Sequence, residues 1–99
     1  MLEAIMPTTA DVARAYTTLL QAGQFAAARE QFWAVNIKRT EPAKSHGVSP
    51  AEVTGIDAAV AKNMRWFEAQ QIDELTIDGP FVTGNQFALF VDMMITSRA

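Results

Sequence analysis

At 99 residues the chain has room for one domain and one core. Hydrophobic residues make up 49% and charged residues 19%, a balance that excludes a disordered chain. A net charge of −3, with eight scattered basic residues, excludes the basic stripe that a nucleic-acid binder needs to replace phosphate counterions. The chain has no cysteine, so disulfides, thiolate nucleophiles and cysteine zinc sites drop out together.

The first six residues carry a glutamate and no basic residue, unlike a signal peptide. The longest apolar run, Phe87 to Val91, stops at Asp92, far short of the roughly 20 residues of a membrane-spanning helix. A soluble protein with no membrane contact is expected, and the cytoplasm is the expected location.

Residues 1–8 read as a lead-in to a single domain over 9–99. A first helix starts at Thr8 or Thr9, where a threonine cap and Asp11 satisfy free backbone donors and oppose the helix dipole. Val12, Tyr16, Leu19 and Leu20 form one apolar stripe, and Gly23 ends the helix in a left-handed conformation. A second helix over 24–33 buries Phe25, Ala28, Phe32 and Trp33, making an antiparallel helical hairpin with the first.

Residues 35–41 read as a strand ending at Pro42, because the residue before proline is pushed toward extended angles. A loop carries His46, the single histidine, as a surface side chain. Ser49, Pro50 and Glu52 spell a helix start, with Gly55 breaking that opening turn. The main third helix follows over 56–70, with Ile56, Val60, Met64 and Phe67 as its stripe and Trp66 on the flank.

Residues 71–96 read as two long strands joined by a two-residue turn at Thr83-Gly84. In the second strand Phe87, Leu89, Val91, Met93 and Ile95 alternate without a break, so that face must lie against something. The opposite face carries Ala88, Phe90, Asp92, Met94 and Thr96, which suits a second contact. Asp92 there is either a pair across an interface or a solvent-facing gatekeeper. Strict register places Leu75 and Ile77 on the wrong face, so one extra residue, a bulge, is predicted at Gly79-Pro80. The element order is therefore α-α-β-α-β-β.

Residues 15–25, Gln31-Phe32-Trp33, Thr40-Glu41-Pro42, 54–60 and 78–89, in this order and spacing, resemble SnoaL-like proteins of the nuclear-transport-factor-2-like superfamily, to which ketosteroid isomerases and polyketide cyclases belong. The resemblance implies an α+β fold, a curved, mainly antiparallel sheet wrapped around three helices as a cystatin-like cone. It further implies a small apolar ligand in the cone and a homodimer formed through the sheet, whose face carrying Phe90 and Met94 makes the contact. Family members continue with two more strands that this sequence lacks. The expected explanation is a truncated or incompletely represented chain, the alternative a partner that fills the gap.

By that resemblance Tyr16 and Glu41 are the catalytic candidates. A tyrosine on the first helix donates a hydrogen bond to a developing enolate oxygen, and a carboxylate before the strand-ending proline moves the proton. The chemistry is sound, because a carboxylate in an apolar cavity becomes a useful base and a phenol stabilises transition-state charge. Two bland readings stand beside it: Tyr16 as a packed core aromatic, and Glu41 as a solvated carboxylate paired with Lys38 or Arg39. Phe32, Trp33, Trp66, Phe67, Phe87 and Leu89 are the candidates for lining a ligand cavity, with a plain packed core as the alternative. No cofactor and no metal site is expected. The function expected is a small-molecule pocket protein, an isomerase or cyclase acting on an apolar carbonyl compound, with a non-catalytic binding or dimerisation module as the other reading.

Overall fold

The computed structural model of the chain describes residues 7–40 and 52–98. Its elements run α1 (Thr9–Gln21), α2 (Phe25–Phe32), β1 (Lys38–Thr40), β2 (Glu52–Thr54), α3 (Ile56–Ala69), β3 (Gln70–Thr83) and β4 (Gln86–Ser97). The class is α+β, as expected, with strands paired β1–β2 and β3–β4. The chain divides into two compact units, Met1–Phe32 with Glu74–Met94 and Trp33–Asp73 with Ile95–Ala99.

In the first unit, α1 begins as its sequence dictates. Asp11 N–H donates to Thr8 Oγ1 at 3.1 Å, and Thr8 N–H donates back to Asp11 Oδ2 at 3.1 Å, a reciprocal capping box. The helix stops where Gly23, at φ +74°, donates to Leu20 O at 3.0 Å and Gln24 donates to Leu19 O at 2.9 Å. Between these ends Val12, Tyr16, Leu19 and Leu20 are half-buried, with Ala13 and Thr17 fully inside. Thr17 satisfies its hydroxyl by donating to Ala13 O at 2.6 Å. The second helix ends at Phe32, with Ala28 its buried residue, so Trp33 lies beyond its last turn.

The second unit departs from expectation in three places. Glu52, Val53 and Thr54 form a strand antiparallel to β1, not the opening turn of a helix. Its register sets Lys38 against Thr54, Arg39 against Val53 and Thr40 against Glu52. Backbone pairing to a distant strand, helped by β-branched Val53 and Thr54, overrides the local helix-start signal. The first strand also starts later than predicted, because Ile37 N–H closes a turn onto Ala34 O at 3.0 Å, leaving Val35 exposed. In α3 the inward face is Ile56, Ala59, Val60, Lys62, Asn63, Trp66 and Phe67, while Met64, expected in the stripe, points outward. The true stripe follows i, i+3, i+4 and i+7 from Ile56, and small Ala59 and polar Asn63 hid it.

The hairpin turn is Gly84-Asn85, one residue later than predicted. Gly84 takes a φ of +57° as the first turn residue, where two-residue hairpins of the II′ kind place glycine. At the far end Arg98 N–H donates to Ala69 O at 2.8 Å. Between these fixed points β3 has 14 residues and β4 has 12, so β3 carries two surplus residues (14 − 12 = 2). From Gln70 to Phe81 the alternation of exposure along β3 breaks twice, at Gly79-Pro80 and at Asp73-Glu74. Each break is the signature of one bulged residue. The first lies where the sequence predicts it, at a cis Gly79–Pro80 peptide with Gly79 at φ +125°. The second was not predicted.

These two shifts put Ile72, Leu75 and Ile77 on the half-buried side, in phase with Phe87 and Leu89. Phe81 goes to the other side, where its ring packs edge-on against Phe90 at 5.6 Å. One expectation fails further along β4. Val91, Met93 and Ile95 share the face of Phe87 and Leu89 yet remain largely exposed, so only the first part of that face is covered.

Candidate functional site

Tyr16 sits at the middle of α1, held in place by the cap at Thr8 and the stop at Gly23. Its phase on the helix aims it at two other rings of the same unit. The ring of Phe32, the last residue of α2, stands 5.8 Å away at 86°. The ring of Phe87, the first inward residue of β4 after the turn, stands 6.2 Å away at 64°. Both are edge-to-face contacts, each worth about 0.5–1.5 kcal/mol beyond burial. Leu89 follows Phe87 on the same face, against the backbone of Gly79. Three of the candidate side chains, Tyr16, Phe32 and Phe87, are thus brought together, with Leu89 alongside.

The remaining lining candidates belong to the second unit. Trp66 and Phe67, neighbours on α3, pack their rings at 5.2 Å and 89°. Trp33 carries the guanidinium of Arg39 over its ring, 5.2 Å from the centroid. Arg39 is half-buried, on the inward side of β1, while Lys38 on the outer side reaches Glu52 Oε2 at 3.6 Å. Lys38 and Arg39 therefore both have contacts other than Glu41. Glu41, Pro42 and His46 lie outside the described residues.

Lys62 is the residue that sequence reasoning missed. It is 8% exposed, one of two buried polar side chains in the described residues, the other being Thr17. No buried side-chain nitrogen or oxygen among the described residues lacks a partner. Lysine is seldom buried unless its charge is met, and Lys62 is not without a partner in the structure. The signal was available, since position 62 lies three after Ala59 and four before Trp66. Asp11 has its carboxyl held below the ordinary 3.8 by the Thr8 backbone and hydroxyl hydrogen bonds and by Arg14 nearby, a role in the helix cap. Among the described residues no group of three or more histidine, cysteine or acidic side chains could hold a metal, and no helix is long and apolar enough to cross a membrane.

The three helices and antiparallel strands of the described residues match a SnoaL-like α+β fold. The chain belongs to the SnoaL-like domain family, whose model matches residues 7–99. A solved structure from Mesorhizobium loti, described as a SnoaL-like polyketide cyclase and also as a carbohydrate phosphatase, is similar at 31% identity with a TM-score of 0.84. The match covers 92% of this chain and 75% of that one. No curated protein sequence matches the chain.

Proposed function

We propose that this SnoaL-like domain binds a small apolar carbonyl compound and moves a proton on it, as an isomerase or a cyclase. The observation that carries the reading is the setting of Tyr16, a phenol on the first helix held edge-on by Phe32 and Phe87. Likeness to a protein described as a polyketide cyclase supports it. In this mechanism Glu41 takes a proton from the carbon next to the carbonyl and returns it elsewhere on the substrate. Tyr16 donates a hydrogen bond to the oxygen on which negative charge develops. Loss of one such donor costs about 10²–10³ in turnover. Phe87, against the Tyr16 ring, and Leu89, next on the same face, supply apolar surface for the ligand.

The same ring contacts suit a second reading, a binding module of this fold with no activity, in which Tyr16 is packing alone. Exchange of the proton next to the carbonyl of an apolar cyclic ketone, followed by NMR in deuterated water, separates the two. Catalysed exchange that falls on the order of 10²–10³-fold in Tyr16→Phe and vanishes in Glu41→Gln supports proton transfer. Turnover unchanged in Glu41→Gln removes Glu41 from the mechanism. Quenching of tryptophan emission by the ketone without any exchange supports the binding module. The proposed partner is a second copy of the chain, joined through the β3–β4 sheet. The proposed location is the cytoplasm, which suits a chain without cysteine.

A further inference from the structure

We propose that the second unit carries an oxyanion site of its own, in which Arg39, held over Trp33, binds the carboxylate of a small apolar acid. The site goes beyond the proton transfer at Tyr16 and does not depend on it.

The site is built on β1. Residues two apart on a strand share a face. Ile37 and Arg39 are half-buried, while Asn36, Lys38 and Thr40 are exposed. Val53, directly opposite Arg39 in the β1–β2 register, is half-buried on that same face. Arg39 is therefore a cation on an otherwise apolar face, with Ile37 and Val53 as its neighbours. At the Ile37 end, Gly55 donates its N–H to Ile37 O at 2.7 Å and carries no side chain. Nothing lies within 4 Å of a Cβ added there, so that end of the face is open among the described residues.

The guanidinium of Arg39 lies 5.2 Å from the centroid of the Trp33 ring. Attraction between a cation and a ring face is electrostatic and is not a hydrogen bond. A guanidinium has five N–H donors in a rigid fork. Arg39 can thus keep the further interaction it makes in the structure and still receive both oxygens of a carboxylate. A side chain already fixed against a ring also loses little additional freedom when a ligand binds.

The charge pattern of the unit favours an acid as that ligand. Its described carboxylates, Glu52, Asp57, Glu68 and Asp73, are all exposed. Glu52 is engaged by Lys38, and Asp73 accepts from Gln71 and Thr96. The basic side chains drawn in from solvent are Arg39, half-buried, and Lys62, buried. A singly charged carboxylate with an apolar body suits both the fork of Arg39 and the side chains of Ile37 and Val53 beside it. A phosphate carries more charge and more water to strip on the same apolar face.

The test is two-dimensional NMR of the 99-residue chain, following the Trp33 indole N–H and the Arg39 Nε–H as sodium benzoate is added. Benzamide, of the same shape without the charge, is the control. Benzoate should move both signals along a saturable curve that weakens as sodium chloride is raised. Benzamide should leave them in place. Arg39→Gln should weaken benzoate binding at least about tenfold, read at Trp33. Arg39→Lys keeps the charge but loses the fork, and should fall between the two. Trp33→Leu removes the support of the guanidinium and should weaken binding read at Arg39. Equal shifts with benzamide would mean an apolar cleft and overturn the anion site. Unchanged binding in a folded Arg39→Gln overturns the role of Arg39. Where that variant does not fold, binding indifferent to both Arg39→Lys and salt overturns it instead. Saturation by inorganic phosphate at lower concentration than by benzoate overturns the carboxylate, and no saturable shift with benzoate overturns the site altogether.

Discussion

Replacing Gly79 with alanine tests the bulge that organises the β3–β4 hairpin. Gly79 has a φ of +125°, and an added Cβ would lie 3.1 Å from Ala88 O, 3.2 Å from Leu89 Cδ2 and 3.3 Å from Phe81 Cδ2. The backbone conformation alone costs an L-residue about 1–3 kcal/mol. The leucine tip can yield, but the Ala88 carbonyl is part of β4, and overpacking of this kind typically costs about 1–3 kcal/mol more. The expected loss is therefore about 2–6 kcal/mol, a large share of the roughly 5–15 kcal/mol that holds a domain folded. Gly84→Ala is the internal control, since Gly84 has a φ of +57° and nothing within 4 Å of its added Cβ. It should lose only the backbone part, about 1–2 kcal/mol. Urea unfolding followed by circular dichroism reads both, and with a slope of about 1–3 kcal/mol per molar the two midpoints should separate clearly. Equal losses at positions 79 and 84 would refute the close approach of Gly79 to β4, and with it the placing of the bulge.

Thr8→Ala removes the acceptor for Asp11 N–H and should cost about 1 kcal/mol, read as a melting temperature lower by roughly 4–8 °C. Because the folded carboxyl of Asp11 titrates below 3.8, its ionised form favours the fold above that value, and the benefit is lost as pH falls through the depressed value. Asp11→Asn should accordingly flatten the acid limb of a stability–pH curve, with no further change at neutral and higher pH. Tyr16→Phe should keep the ring contacts and lose under about 1 kcal/mol. Tyr16→Ala should lose about 2 kcal/mol, below the usual cost of truncating a core aromatic because Tyr16 is only half-buried.

What the sequence made legible was whatever its residues decide locally or by parity. Thr8 and Asp11 satisfy each other within three residues, and Gly23 closes α1 on Leu20, so both ends of that helix follow from composition. The bulge at Gly79-Pro80 was legible because Leu75 and Ile77 fall out of phase with Phe87 and Leu89, and glycine followed by proline marks the place. The bulge at Asp73-Glu74 has no such marker, since neither residue differs from an ordinary exposed strand position. β2 was illegible for a different reason. The partner of Glu52 is Thr40, 12 residues upstream, and nothing within one turn of Ser49 announces it.

The candidate site divides along the same line. Tyr16 was found because its stripe on α1 is built from large apolar residues, and large residues report their own phase. The face of α3 runs through Ala59, Lys62 and Asn63, which an apolar count passes over, so Met64 was taken in and Lys62 left out. A lysine can still sit on such a face, because its four methylenes pack like a hydrophobe while the ammonium finds a partner. For Tyr16 the ring and the hydroxyl carry separable roles. The ring alone accounts for the contacts with Phe32 and Phe87, since phenylalanine would make them equally well. Tyr16→Phe therefore leaves the ring cluster in place and reads the contribution of the hydroxyl by itself.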